Sequence, residues 1–294
     1  MAIESAILTE YAAVISTGYP MESKSPRAET ERITLANSIN YGPCSGPDGT
    51  GKLLAQIKAR AITLLNGTWH KRQVRWVQND WDVLEGQSKG YNTHALMISC
   101  GTVTIDRAAF GDRRVLLIWN KNTKAWQLPK GRKNVHEDLA AAAFRETTEE
   151  TGVAVRPLYL RFRTRFTLPD DGQEGVAKKL RQRLGDSLND RRLNESGIAN
   201  LLNKDTFYFS QYPDPATGAM RHIYWYAARP ERGTVSDVTL MGKEDAQVMR
   251  AQWFPAGEAV DRLKMSVERD AVALAVHYAE QMTDEEWRYS FDLE

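Results

Sequence analysis

The chain has 294 residues with 39 Lys+Arg against 38 Asp+Glu, long enough to bury a real core and too evenly charged to present a global field to a polyanion or a membrane. Only Cys44 and Cys100 occur, far apart and without metal-ligand spacing, which argues against a disulfide framework or a zinc site. The N-terminus has no basic leader, and its most apolar stretch, Ala6 to Val14, is interrupted by Glu10. The expectation is a soluble protein of a reducing compartment, cytoplasmic with the nucleus also open.

Residues 1–50 are rich in Ser, Thr, Glu, Gly and Pro and read as a flexible N-terminal segment. At its end, Gly46 to Lys52 has the Gly and Lys spacing of a phosphate loop, but Leu53 stands where a Ser or Thr would bind magnesium, so it reads as an ordinary loop. Residues 51–91 form an extension. Leu53, Leu54, Ile57, Ala61, Leu64 and Leu65 recur at helical spacing up to Asn66-Gly67, and something apolar must cover that stripe. The stretch Val74 to Leu84, with Trp76 and Trp81, reads as a strand, and Gly86 to Gly90 as a linker. Trp69 to Trp76 interleaves bases with aromatics but is too short to argue for RNA.

The main domain is expected over 92–282, with 283–294 as a tail. Strands are predicted at Ala95 to Ile105 and Arg114 to Trp119, a helix over Asp138 to Thr151 and a strand at Pro157 to Phe166. A polar insertion runs over about 169–205. Thr206 to Tyr212 and Arg221 to Arg229 then form a hairpin about the turn Pro213 to Gly218. Val267, Ala271, Leu274, Ala275 and Tyr278 make the apolar stripe of a late helix. Such alternation predicts an α/β class of mixed α+β character.

The chemistry is concentrated in one segment, Gly131 to Val153. Its Ala-rich middle favours a helix, and Gly152 is placed to let the chain leave it. Glu146, Glu149 and Glu150 fall at i, i+3 and i+4, so three carboxylates share one face. Their mutual repulsion becomes coordination energy if a hard divalent cation such as Mg²⁺ binds. Alone they would be an ordinary solvated helix face. The full spacing, from Gly131 through Glu137, Arg145-Glu146, Glu149-Glu150 and Gly152 to the aliphatic Val153, instead resembles the Nudix box at each fixed position. Thr147 departs from the bulky aliphatic residue usual there.

The resemblance implies a Nudix α/β/α sandwich with a mixed sheet between helices. It implies Mg²⁺, or alternatively Mn²⁺, held by Glu146, Glu149 and Glu150, with Glu146 also orienting or deprotonating water. It implies an Arg145–Glu137 pair fixing the loop, and a close backbone approach at Gly131. Many Nudix enzymes add a carboxylate from a late loop, which Glu244 resembles, with Asp245 as its competitor. The lead-in Trp126 to Gly131 looks like that of the branch hydrolysing diphosphoinositol polyphosphates and diadenosine polyphosphates, although Arg132 replaces a customary second Gly. Lys130 is the first candidate for a phosphate contact, followed by Arg132 and Lys133. Arg161, Arg163 and Arg165 alternate with Phe162, Thr164 and Phe166, so burial of the Phe side would leave a cationic ridge. A basic stretch from Lys178 to Arg192 could form a helical lid or a surface helix.

The expected activity is hydrolysis of a phosphoanhydride in a small-molecule polyphosphate, either inositol pyrophosphate or a dinucleoside polyphosphate. A Nudix enzyme acting on nucleotide sugars, dinucleotides or capped RNA is the alternative, with Trp126, Tyr208 or Tyr226 as candidate base clamps. That alternative leaves RNA open as a partner. An inactive binding module is disfavoured because no ligand carboxylate is missing. Oligomeric state is not legible.

Overall fold

A computed structural model describes residues 55–61, 76–107, 113–164, 166, 199–231 and 235–289. The segment 1–50, the phosphate-loop-like Gly46 to Lys52, Trp69 to Arg75 and the basic stretch Lys178 to Arg192 lie outside the described residues.

The long central strand β1 (Leu96–Arg107) is buried over most of its length, as a strand covered on both faces must be. It pairs in parallel with β9 (Met220–Pro230) and antiparallel with β2 (Arg113–Asn120) and the short β4 (Lys130–Arg132). Further antiparallel pairings add β10 (Met249–Pro255) and β3 (Ala125–Gln127) to β2, and β5 (Val155–Pro157) and β8 (Tyr208–Pro213) to β9. The result is an 8-stranded mixed sheet. Alternate residues of β1 serve opposite layers. Cys100 packs with Ala142 and Ala143 of helix α3 (Leu139–Thr151), whereas Val103 and Ile105 join the larger core under α5 (Ala256–Arg262) and α6 (Ser266–Glu280). Helix, sheet, helix is therefore the layer order.

Residues 55–61 form a helical piece, α1, whose Ile57 and Ala61 are buried in the larger core. Its Arg60 pairs with Asp270, and Lys58 with Glu280 at 3.4 Å, so α6 lies beside α1, while Leu53, Leu54, Leu64 and Leu65 of the stripe lie outside the described residues. The stretch read as a strand around Trp81 is instead helix α2 (Gln78–Gln87). Asp80 accepts from the Val77 backbone at 3.2 Å, which fixes the first turn, while the Trp76 and Trp81 rings sit 5.0 Å apart without any buried residue in the helix.

Two other expectations change. The strand predicted over Pro157 to Phe166 divides at Leu158 and Tyr159 into β5 and β6 (Leu160–Thr164), because the chain leaves the large sheet there. The end of the polar insertion supplies the partner of β6, namely β7 (Ala199–Asn203). The expected tail begins with helix α7 (Asp284–Tyr289), whose Trp287 is buried in the core. Among the described residues no helix is long and apolar enough to cross a membrane.

Candidate active site

Helix α3 begins where the Asp138 side chain accepts from Ala140 N at 2.9 Å and Ala141 N at 3.2 Å. It ends at Gly152, whose φ of 68° is left-handed and whose N–H reaches Thr148 O at 2.8 Å. One face is thus committed to the sheet, through Ala142, Ala143 and Thr147. Thr147 does not leave the gap that its small size would suggest. Its hydroxyl meets Thr102 Oγ1 on β1 at 2.8 Å, and Thr102 meets Thr104 at 2.7 Å.

The acidic face is organised by Arg145. Its Nε donates to Glu137 Oε1 at 2.7 Å and its Nη2 to Glu137 Oε2 at 2.9 Å, a two-pronged pair that ties the loop before the helix to the helix itself. Those hydrogen bonds hold the Glu137 carboxyl down at about 2. Nη2 also donates to the Arg132 carbonyl at 3.1 Å. Nη1 is shared between Glu146 at 2.8 Å and Glu149 at 2.7 Å. Glu146 in turn leans over Gly131, where a Cβ would lie 1.8 Å from Glu146 Oε2. A glycine is required there by the carboxylate's position.

Glu150 is the most enclosed of the three. Its Oε2 accepts from the Lys130 backbone N–H at 2.7 Å. Burial pushes its carboxyl up to about 8 against the counter-pull of Lys130, with Glu146 and Asp245 adding to the rise. Burial also raises Glu146, and the field of Glu149 and Asp245 acts in the same direction.

The late-loop carboxylate facing this cluster is Asp245, not Glu244. Asp245 is half-buried in the first turn of helix α4 (Asp245–Val248), and its carboxyl is raised by burial and then by Glu149. Gly242 N–H donates to the Glu149 carbonyl at 3.0 Å, which docks the loop on α3. Glu244 precedes the helix and is exposed.

The basic residues are distributed differently from the expectation. Lys130 is not a free phosphate contact: its side chain is 9% exposed and its Nζ stands 3.4 Å from Glu268 of α6, itself 1% exposed. The Leu128 backbone and the Lys130 ammonium both face Glu268, but neither at good hydrogen-bond geometry. Burial opposes the Lys130 charge, yet Glu268 and then Glu150 outweigh it and favour the ammonium. Arg161 is not part of an open ridge either, since its Nη2 donates to Glu286 Oε1 of α7 at 2.7 Å. Phe162 is buried as the alternation required, but Phe166 is exposed. The Arg163 side chain and Arg165 lie outside the described residues. Arg132 and Lys133 line an open cavity of about 460 Å³ with His94, Ile98 and Thr217.

Of the expected base clamps, Tyr226 is buried, Tyr208 is half-buried, and Trp126 packs against Trp119 and Phe254 at 5.5 and 4.8 Å. Glu268 and Thr102 escaped notice in the sequence. One sits on an apolar helix and the other in an apolar strand, where only tertiary contact reveals a role.

Hard carboxylate oxygens from Glu146, Glu149, Glu150 and Asp245 are chemically suited to Mg²⁺ or Mn²⁺. Burial first, and then the neighbouring carboxylates, raise the carboxyls of Glu146, Glu150 and Asp245. Among the described residues no three acidic, His or Cys side chains converge on one coordination point. Arg145 already engages Glu146 and Glu149, so a metal and this guanidinium compete for the same oxygens.

A family model described as NUDIX domain matches residues 102–187. Solved structures of similar shape include a C. elegans Ap4A hydrolase binary complex (14% identity, TM-score 0.40, covering 63% of this chain and 99% of that one). A NUDIX hydrolase from Nitrosomonas europaea is 11% identical, with TM-score 0.37 and coverage of 64% and 97%. The E. coli dihydroneopterin triphosphate pyrophosphohydrolase is 17% identical, with TM-score 0.34 and coverage of 63% and 95%. No curated protein matches the chain. The family match spans Gly131 to Val153, the segment that holds Glu137, Arg145, Glu146, Glu149 and Glu150.

Proposed function

We propose that this chain hydrolyses a diphosphate linkage in a small-molecule polyphosphate, with Mg²⁺ or Mn²⁺ held by Glu146, Glu149 and Glu150 and with Asp245 beside them. The observation that carries the reading is three carboxylates within one turn of α3, Glu146 and Glu149 sharing Arg145 and Glu150 held by the Lys130 N–H, with Asp245 near enough for its charge to act on Glu146 and Glu150. A bound divalent cation would neutralise charge on the attacked and departing phosphates. The protein's own share is positional. Arg145 and Glu137 fix the loop against α3, the Lys130 N–H fixes Glu150, and Gly131 leaves Glu146 its place. Glu146 or Asp245 accepts the proton of the attacking water as its oxygen bonds to phosphorus, and the bridging P–O bond breaks toward the departing phosphate.

Of the two substrate types that the sequence favours, the dinucleoside polyphosphate has the better support. A ridge of arginines would serve the crowded phosphates of an inositol pyrophosphate more than a dinucleotide, and Arg161 already has a carboxylate partner. An aromatic surface is present instead. Phe209 is 43% exposed, with the His222 and Tyr224 rings at 5.2 and 5.3 Å. His222 neighbours Ile98 across β1 and β9, and Ile98 lines the cavity that holds Arg132 and Lys133.

The test is a substrate panel with Mg²⁺ resolved by phosphorus NMR, comprising diadenosine polyphosphates, inositol pyrophosphate, a nucleotide sugar and capped RNA. Preferred turnover of the diadenosine compounds is expected. Turnover of inositol pyrophosphate alone would reverse the substrate preference, and no metal-dependent turnover of any member would remove the enzymatic reading.

A further inference from the structure

We propose that Glu268 is a positioning residue for the metal site, holding the Lys130 ammonium away from Glu150 so that this carboxylate stays available as a ligand. The inference rests on the reading of Glu150 as a metal ligand. Lys130 stands between two buried carboxylates brought from opposite layers of the fold. Its backbone N–H donates to Glu150 Oε2 on α3 at 2.7 Å, while its Nζ lies 3.4 Å from Glu268 Oε1 on α6. β4 register explains the division. Gly131 pairs with Cys100, which faces α3, so the neighbouring Lys130 side chain is sent to the α6 layer.

The arrangement matters because a buried ammonium cannot go without a partner. Glu268 is buried in the first turn of α6, and the pairing with Lys130 is the contact that its carboxylate makes at ionic distance. If that charge were removed, Glu150 would be the remaining carboxylate whose field acts on Lys130. The flexible four-carbon stem of a lysine lets the ammonium turn toward it. A Lys130–Glu150 pair would then compete with the metal for the same oxygens.

The test is Mn²⁺ binding to the full-length protein without substrate, read from the EPR signal of free Mn²⁺, beside thermal unfolding. Glu268→Gln should weaken Mn²⁺ binding by about tenfold, the scale of losing an outer partner of a metal ligand. Adding Lys130→Met keeps the backbone N–H to Glu150 but removes the competitor, and should restore affinity to within about twofold of wild type, a non-additivity expected only of coupled residues. A purely structural role for Glu268 predicts no rescue. Wild-type affinity in Glu268→Gln, or a double variant as weak as the single, overturns the proposal. Should Glu268→Gln not fold, the double variant decides alone, because affinity below wild type there is incompatible with release of Glu150. Glu150→Gln separates the two levels. If it too binds Mn²⁺ normally, the ligand assignment fails and this inference with it; if it binds weakly while Glu268→Gln does not, only the inference fails.

Discussion

The Glu146 carboxylate occupies the space that a side chain at Gly131 would need: a Cβ built there lies 1.8 Å from Oε2 and 2.1 Å from Cδ of Glu146. The two residues come from different elements, one from β4 and one from α3, and the absence of a side chain on the first sets the position of the second. What Gly131→Ala would strike is the far end of a flexible side chain, not backbone. The fold should therefore tolerate the change, with Glu146 displaced. We expect kcat to fall by about 100-fold, the scale of a 1 Å misplacement at a reacting centre, with little change in thermal midpoint. A variant with wild-type kcat would show that Glu146 need not sit where it does.

Asp245 and Glu244 provide a sharper contrast, being adjacent acids of which one is half-buried toward α3 and the other exposed. Asp245→Asn should lower kcat by about 100-fold or more, as expected for loss of a proton acceptor or metal contact. Glu244→Gln should stay within about twofold, as for a surface change away from any special feature. Steady-state kinetics at saturating Mg²⁺ would decide, and the reverse ranking would return the role to Glu244.

Arg161→Ala tests whether the alternating arginines bind substrate. Glu286 accepts both from Arg161 at 2.7 Å and from the Thr283 N–H at 3.0 Å, so Arg161 helps dock α7 on β6. Removing it should cost about 1–3 kcal/mol of stability, the range for a hydrogen bond to a charged group, and leave KM for a polyphosphate unchanged. A raised KM with intact stability would reinstate the ridge.

How much was legible follows from what spacing can encode. Glu146, Glu149 and Glu150 share a face because helical periodicity demands it, and Gly152 ends the helix by its own conformational freedom. Arg145 and Glu137 were paired through the family pattern, and the structure joins them. The Glu268 partner of Lys130 is not legible, because a three-residue strand does not reveal what a helix much later in the chain brings against it. The choice between Glu244 and Asp245 was open for a similar reason: a loop has no period to assign a face. β7 is not legible because its sequence, with Asn200 and Asn203 at the end of a polar stretch, lacks the alternation of a half-buried strand.

Thr147 carries the last prediction. Its hydroxyl is fully buried and donates to the Ala143 carbonyl at 2.8 Å, one turn back in α3. That donation uses its single proton, so Thr102 must donate to Thr147 across 2.8 Å, and Thr104 to Thr102 across 2.7 Å. The direction of the whole chain is fixed from one end. Thr147→Val keeps the shape but leaves the Thr102 proton to turn back toward Thr104, disturbing both bonds. We expect a loss of about 1–2 kcal/mol, the cost of breaking one partner out of a buried set, read as a lower denaturation midpoint at unchanged m-value. Activity at saturating Mg²⁺ should hold within about twofold, as for a change outside the reacting centre, because Thr147 faces the sheet and not the carboxylates. Replacing Thr102, Thr104 and Thr147 together by Val removes every member of the chain at nearly constant volume, and should recover most of that stability. If the triple variant is much less stable than Thr147→Val alone, the hydroxyls contribute independently and the proposed chain of donation is wrong.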